Sequence, residues 1–400
     1  NRWNYQKKIG FYMKKKVLII GGGMAGCASA EMLSEIENLE ITLVEQNNFL
    51  GAGVRTFNYG GHPYTFGPRH FLTKKKEVYD YLNSKLPLRD CSEHQFITYV
   101  EKDNQFYNYP LHLEDVQKMP DKEKVLSELN NRSENFTSTN LKDYWIKSIG
   151  PTLFGKVINN YNKKMWQVED CSEIDTFSWS PKGATIKTEK ESKAAWSEAI
   201  SAYPIAHDGY NSYFDNSVKN IKVLFNTKVK IKDLKKKIFI INDEDYKFDI
   251  VISSTSPDIL LDFQNGELPY IGRDIHKIVF PTEYVFPKDV YFLYFANDEK
   301  FTRMTEYKKF TKHKSKTSLV GIEFPSKNGK HYPLPFKSEI KKSHKYLKSL
   351  PKWFFSIGRA GTYRYEVDID DSIEQSIEIG KIIKNNEYDD CMPVKKWWKY

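Results

Sequence analysis

Val17 to Ile20 is a wholly apolar run that breaks into Gly21-Gly22-Gly23-Met24-Ala25-Gly26, after which Cys27, Ala28, Ala30 and Leu33 recur at helical spacing. A second apolar run, Ile41 to Val44, is closed by Glu45. Short apolar runs bounded by turn residues read as buried strands, and a spacing of three and four as a helix facing the core. The opening segment thus predicts strand, turn, helix, strand. From about residue 76 to 200 helical spacing dominates, through Val78, Tyr79 and Leu82, then Val125 and Leu129, then Leu141 to Tyr161. Strand character returns at Val223 to Phe225, Val229 to Ile231, Ile238 to Ile241 and Asp249 to Ser254. Ile278 to Phe280, Val290 to Phe295 and Ser318 to Phe324 alternate apolar with polar residues, the pattern of an antiparallel sheet. Trp353 to Ile357 reads as a further strand, and Ile373, Ile377, Ile379 and Ile383 mark a last amphipathic helix.

Chemistry enters at the glycine turn. Gly21 permits the tight bend, Gly23 lets a pyrophosphate approach the backbone, and Gly26 lets helix and strand pack closely. The helix opening at Met24 and Ala25 presents free N–H groups to phosphate oxygens. Glu45, at the end of the second strand, is placed to accept hydrogen bonds from an adenosine ribose. Together these predict a dinucleotide site. Three later segments favour FAD over NAD. Phe49-Leu50-Gly51-Ala52-Gly53-Val54-Arg55 is a second glycine turn with a cation, which adds Gly53 and Arg55 to the expected cofactor set. Asp249 to Ser254 suits the strand beneath the adenine side. Gly358-Arg359 precedes Asp368 and a helix expected to start near Asp370 or Asp371, with Ser372 in its first turn. A helix N-terminus there would stabilise the negative charge of a reduced flavin ring. No second fingerprint with its own strand and helix follows residue 60, which argues against a separate nicotinamide domain.

The expected fold is α/β. A discontinuous Rossmann-like FAD-binding domain (13–75, 205–258 and 350–386) would carry an inserted, mainly helical substrate-binding domain (76–204) and an antiparallel β-sheet domain (259–349), with extensions at 1–12 and 387–400. Met13, with Lys14 to Lys16 leading into the first strand, is the expected natural start. Hydrophobic residues make up 40% of the 400 and charged residues 28%, an ordinary soluble balance. No run approaches the roughly 20 apolar residues that cross a bilayer, and no secretory signal is evident, so the cytoplasm is the expected location. The net charge of +9 suits a polyanionic ligand such as a nucleotide diphosphate. Its lysines are scattered (Lys74 to Lys76, Lys235 to Lys237, Lys341 with Lys342), which argues against nucleic acid. Cys27, Cys91, Cys171 and Cys391 stand apart with no CxxC pair, so neither a zinc site nor a disulfide framework is expected.

Several segments, in order, resemble the UDP-galactopyranose mutase family. Phe66-Gly67-Pro68-Arg69-His70-Phe71-Leu72-Thr73 is similar to its YGxHxFHT stretch beside the flavin, Tyr107-Asn108-Tyr109-Pro110 to its FNxP turn, and Tyr161-Asn162-Lys163-Lys164-Met165-Trp166 to its YxxKxW motif. Phe301-Thr302-Arg303-Met304-Thr305-Glu306-Tyr307-Lys308 resembles YTRxxEHK, Tyr332-Pro333 its YP step, and Gly358-Arg359 with Tyr363, Tyr365 and Asp368 its GRxxxYxYxxD segment. The resemblance implies an isomerase with a non-redox use of reduced FAD. The flavin attacks the anomeric carbon of a nucleotide sugar through N5, the adduct opens and closes on a different hydroxyl, and the diphosphate returns to give the furanose. By the same resemblance Arg303 is the catalytic cation on the pyrophosphate, aided by Tyr332 and Tyr363. Tyr161 stacks on the base, Trp166 borders the sugar, Asn108 belongs to the substrate site and Arg69 to the cofactor site.

Departures from the family lie at the flavin and sugar ends. Its two histidines of the YGxHxFHT stretch align with Arg69 and Leu72, and its YTGxID segment reads Ser254-Thr255-Ser256-Pro257-Asp258. An arginine that follows the YxxKxW helix has only lysines as counterparts, Lys182 being the candidate. A sugar other than galactose, or a different nucleotide, is compatible with these changes. NAD(P)H or another external reductant and a homodimer stay open as partners. So does contact of the basic, aromatic tail around Trp397 and Trp398 with a glycosyltransferase or membrane face, although a disordered solubilising end is the preferred reading of that tail. The rival functions are an amine-oxidase-like FAD oxidoreductase and a non-catalytic flavin-binding partner protein.

Overall fold

The computed structural model describes residues 14–133, 135–175 and 198–387. Strand Lys15–Ile20 lies at the centre of an all-parallel five-stranded sheet, between Leu39–Val44 and Ile250–Ser253, with Lys222–Leu224 and Phe354–Ser356 at the edges. A parallel sheet needs both faces covered, and the alternation along the first strand shows how. Val17 and Ile19 join one core cluster, while Leu18 and Ile20 join another with Phe239, Val251, Leu347 and Phe354. The first face carries helix Met24–Ser34, against which the last helix, Ile369–Asn385, packs. The Ser29 and Ser376 hydroxyls meet at 3.0 Å, and Ser376 Oγ donates to the Ala25 carbonyl at 3.1 Å. This contact draws the start of the last helix beside the glycine turn. Asp368 and Asp371 form a capping box there, satisfying backbone donors that helix geometry leaves open.

A seven-stranded sheet runs in the order Tyr332–Pro333, Tyr270–Phe280, Ser318–Ser326, Arg303–Glu306, Phe292–Phe295, Ile97–Val100, Gln105–Asn108. It is antiparallel apart from the pairing of Ile97–Val100 with Phe292–Phe295. The stretch 76–204, expected to be mainly helical, also contains strands. Helices Lys76–Lys85, Lys122–Asn130, Leu141–Ile149 and Asn159–Trp166 are present. Four strands also come from that stretch, two in the large sheet and two, Leu88–Asp90 and Ile200–Pro204, in a small one with Phe71–Thr73. A strand of three or four residues is too short to display its two-residue period against one helical turn. Among the described residues no helix is long and apolar enough to cross a membrane.

Candidate active site

The parallel sheet and the large sheet both contribute to a cleft of about 710 Å³, within the roughly 300–1,000 Å³ range of small-molecule and cofactor sites. Of the residues expected to hold the cofactor, Gly21, Gly23, Met24, Ala25, Glu45, Gly53, Arg69, Gly358, Arg359, Asp368 and Ser372 line it. Gly21 has φ 96°, a left-handed conformation that strains any residue with a Cβ. Glu45 is fixed at the lip. Its Oε2 accepts from the Gly22 N–H at 2.7 Å, and its Oε1 from the Asn47 backbone and side chain at 2.8 Å each. A carboxylate has about four acceptor sites, so one remains for a ribose hydroxyl. The cradle at Gly23 is open, the nearest atom to a Cβ there being Ala52 Cβ at 3.5 Å. The open glycine turn, the helix N-terminus and the free acceptor on Glu45 fit a dinucleotide such as FAD. The N-terminus of Ile369–Asn385 bounds the cleft elsewhere through Ile369 and Ser372.

Two expected cofactor residues lie off the lining. A Cβ on Gly26 would run into the Gly21 carbonyl, so this glycine acts by letting helix and turn touch. The Arg55 guanidinium donates to the Leu50 carbonyl at 3.2 Å and faces the Phe49 ring at 5.6 Å. It shapes the second turn and is not among the residues that line the cleft.

Beside the cleft the Tyr332 ring is surrounded by guanidinium groups: Arg273 at 4.8 Å, Arg359 at 5.2 Å and Arg69 at 6.0 Å. Burial would push its phenol up, but Arg69, Arg273 and Arg303 outweigh that and hold it at about 8. Burial pushes the neighbouring His331, which lines the cleft, down to about 4, with Arg69 and Arg273 adding to the effect. Its imidazole is therefore neutral near pH 7. Tyr294, Arg303 and Glu323 occupy facing positions on three adjacent strands. Arg303 Nε and Nη2 each donate to Glu323 at 2.7 Å, and Nη1 to the Tyr294 hydroxyl at 3.2 Å. Burial opposes the Arg303 charge and Glu323 restores it. Arg359 is paired with Asp368, and Arg69 Nε donates to the Gly53 carbonyl at 2.9 Å. Four guanidinium groups thus gather around Tyr332 against two carboxylates.

Helix Asn159–Trp166 follows a short π-helical turn, Phe154–Ile158, and brings its two expected aromatics to this cluster. The Tyr161 ring lies 5.4 Å from Tyr294 and the Trp166 ring 4.8 Å from Tyr365. Other expectations need correcting. Tyr363 is buried against Tyr270 and donates to the Pro269 carbonyl at 2.6 Å. Tyr365 lies at the cluster instead, 5.5 Å from Tyr332 and faced by Arg359 at 5.5 Å. The Asn108 Nδ2 donates to both oxygens of Asp115 at 3.2 Å, so this side chain braces the loop after its strand. The two-pronged edge of Arg303 expected on a pyrophosphate is occupied by Glu323. Lys182 lies outside the described residues. Within the motifs, Lys164 holds the Asn297 and Glu299 carbonyls, and Glu306 accepts from the Val285 and Phe286 N–H groups, so both are structural.

Residues that sequence reasoning did not single out are Arg273, Tyr294, Glu323 and His331. Arg273 had a signal: it alternates with Ile271 and Ile275 on the buried face of its strand, an unusual position for a charge.

The family model for UDP-galactopyranose mutase matches residues 156–365, and the model for an NAD(P)-binding Rossmann-like domain matches residues 19–84. A crystal structure of reduced UDP-galactopyranose mutase aligns with a TM-score of 0.78 at 18% identity, covering 93% of this chain and 96% of that one. A protein described as a protoporphyrinogen oxidase, from Exiguobacterium sp. 255-15, aligns at 0.69 with 13% identity over 93% and 99% of the two chains. Putrescine oxidase bound to putrescine aligns at 0.55 with 11% identity over 92% and 99%. At such identities these structures show a shared fold. Phytoene desaturase of Phycomyces blakesleeanus is 33% identical over 107 residues, 26% of this chain and only 16% of the length of that relative. The mutase model spans just over half of the chain, from the Tyr161–Trp166 helix through Arg303 and Tyr332 to Arg359, and the chain belongs to the UDP-galactopyranose mutase family.

Proposed function

We propose that this protein is an isomerase that interconverts the pyranose and furanose forms of a nucleotide-diphosphate sugar, using reduced FAD without net redox. When bound in its reduced form, FAD supplies the N5 nucleophile for the anomeric carbon. The chain's own part is to position the sugar and to meet the charge that develops on the departing diphosphate. The observation that carries this reading is the surplus of positive charge at Tyr332, four guanidinium groups against two carboxylates, beside a dinucleotide cleft. A diphosphate balances that surplus. Arg303 would meet it through Nη1, the nitrogen not engaged with Glu323, with the Tyr332 and Tyr365 hydroxyls alongside. Tyr161 would pack on the base and Trp166 border the sugar. The neutral His331 can exchange hydrogen bonds there without adding charge.

An apolar substrate of the oxidase kind would leave buried cations without compensation, and each such charge costs several kcal/mol. UDP-galactose is the first substrate to test, followed by other sugars and nucleotides because of the departures at Arg69, Leu72 and Thr255. NAD(P)H or a similar external donor would keep the flavin reduced. The deciding experiment incubates the protein with nucleotide sugars with and without dithionite. Isomerisation only after reduction, with no net consumption of reductant, is the expected result. Aerobic turnover with peroxide formation would instead establish an oxidase, and FAD binding without either activity across a broad panel would leave a binding protein.

A further inference from the structure

We propose that the outer face of helix Lys337–Ser349 is a docking surface for an anionic lipid bilayer. This helix carries five lysines against a single glutamate. Lys337, Lys341, Lys345 and Lys348 recur at spacings of four, four and three, which gathers them within an arc of about 80° and along about 16 Å of the axis. All four are exposed. Lys337 pairs with Asp175 at 3.1 Å, and Lys342, on the flank, with Glu339 at 2.6 Å. Lys341, Lys345 and Lys348 have no carboxylate partner among the described residues. Like charges three and four residues apart destabilise a helix, and a merely solvated face would intersperse acids among them. Here Ser343, Tyr346 and Leu347, buried on the opposite side, hold the helix in place despite that repulsion.

A second feature borders the row. The turn 261–267 is tied to the flank of the same helix. Tyr346 Oη accepts from the Asn265 N–H at 2.9 Å and donates to the Gly266 carbonyl at 2.8 Å, and Lys342 Nζ donates to the Glu267 carbonyl at 2.9 Å. Within this turn Asp262 and Phe263 are both left-handed, with φ 48° and 53°, a strain that bulky side chains rarely accept. The Phe263 ring stays outside the core, 45% exposed. Glu267 is paired with Lys330 at 3.6 Å, which leaves Asp262 as the one unpaired acid of the turn against three unpaired lysines. The arc holds no aromatic on which a nucleic-acid base could stack. Lysine also lacks the planar fork that selects a particular carboxylate. A straight row of point charges matches a flat, diffuse negative field, and an exposed ring beside it can enter the headgroup layer.

The test is co-sedimentation of the full chain, flavin-loaded, with vesicles of phosphatidylcholine alone or mixed with phosphatidylglycerol. Wild type should bind the mixed vesicles at low salt, release them at high salt, and ignore phosphatidylcholine. Each lysine near an anionic bilayer strengthens partitioning about fivefold. The triple variant Lys341→Ser/Lys345→Ser/Lys348→Ser should therefore partition on the order of 100-fold more weakly, with flavin content and turnover unchanged. Lys118→Ser/Lys122→Ser/Lys124→Ser removes as much charge from exposed positions elsewhere and should bind almost as wild type does. Phe263→Ser should weaken binding severalfold without altering its salt dependence. Wild type that stays in the supernatant with mixed vesicles overturns the proposal. So does an equal loss in the two triple variants, which marks net charge and not this row. Retention on immobilised poly-glutamate without vesicle binding assigns the row to an acidic protein and overturns it as well.

Discussion

Arg303 and Glu323 stand directly opposite each other on adjacent antiparallel strands and are joined by two hydrogen bonds of 2.7 Å. Glu323 is 1% exposed, so the pair exists at a depth where neither charge could persist alone. Removing one partner strands the other. Glu323→Ala is therefore expected to lower stability by about 3–5 kcal/mol, read by denaturant unfolding of the flavin-loaded protein. Glu323→Gln, which still accepts a hydrogen bond, should cost less. Equal stability of wild type and the alanine variant would refute this account of the pair.

Turnover and cofactor retention should separate at Arg303. Its side chain contacts Glu323 and Tyr294 and does not line the cofactor cleft. Arg303→Ala is expected to lower kcat/KM by a factor of at least ~100, the scale for losing one preorganised charge donor, while the flavin-to-protein ratio stays at the wild-type value. An active variant would remove Arg303 from the reaction centre.

Gly26 tests the cradle from behind. Any Cβ there collides with the Gly21 carbonyl, so Gly26→Ala must push the helix away from the turn that faces the cleft. The expected cost is about 1–3 kcal/mol, with a reduced flavin content in purified protein. Gly23→Ala makes the complementary comparison. A Cβ at Gly23 has its nearest neighbour at 3.5 Å, so it should bind flavin poorly while unfolding at nearly the wild-type temperature. Full flavin loading in both variants would contradict the placement of the cofactor.

What could be read from the chain, and what could not, follows from how local each feature is. The glycine turn, its helix and Glu45 sit within one contiguous segment whose geometry each residue type constrains, so they were legible. The pairing of Ile97–Val100 with Phe292–Phe295 joins segments nearly half the chain apart, and no local pattern announces such a partner. Side-chain direction was also hidden. The helical turn Gly358–Thr362 ends at Tyr363 with φ 52°, and this left-handed residue sends Tyr363 into the core and leaves Tyr365 at the cluster. Arg55 and Asn108 hold motif positions, but which neighbours they bond, the Leu50 carbonyl in one case and Asp115 in the other, is not written in the local sequence. Arg303 is singled out by its motif, whereas its neutralising partner Glu323 lies on another strand and belongs to no motif.

The start of the last helix carries a pH-dependent cost. Burial and the neighbouring Asp371 raise the Asp370 carboxyl to about 7, against a lowering contribution from Thr73. Lys75 approaches Asp371 at 3.5 Å and pairs with Glu374, and Asp368 pairs with Arg359. Between about pH 4 and 7 the folded protein holds a proton that the unfolded chain has released, so stability falls as pH rises through that window. Asp370→Asn should gain on the order of 1 kcal/mol at pH 8 and nothing at pH 4. Melting curves of the two proteins across that range decide the matter, and parallel curves would place the carboxyl in an ordinary environment.

The phenol of Tyr332 should make diphosphate binding weaken in mild alkali. Arg69, Arg273 and Arg303 hold its ionisation at about 8 despite burial, so the free protein develops a phenolate inside the proposed anion site as pH passes that value. A bound diphosphate adds negative charge beside the same oxygen and must push the ionisation back up, because like charges disfavour each other. Linkage is reciprocal: if the ligand raises the phenol, phenolate formation lowers the ligand's affinity by the same free energy. Each unit by which binding raises the phenol corresponds to a tenfold change in affinity, so UDP should bind roughly tenfold more weakly at pH 9.5 than at pH 7. A terminal phosphate ionises near pH ~6 and His331 near 4, so neither titrates in this interval. Tyr332→Phe removes the phenolate and should flatten the profile at a somewhat lower affinity through the loss of one hydroxyl donor. Calorimetric titrations of wild type and the phenylalanine variant at several pH values give the answer. A flat wild-type profile, or a slope that survives in Tyr332→Phe, would mean that the diphosphate lies away from this ring.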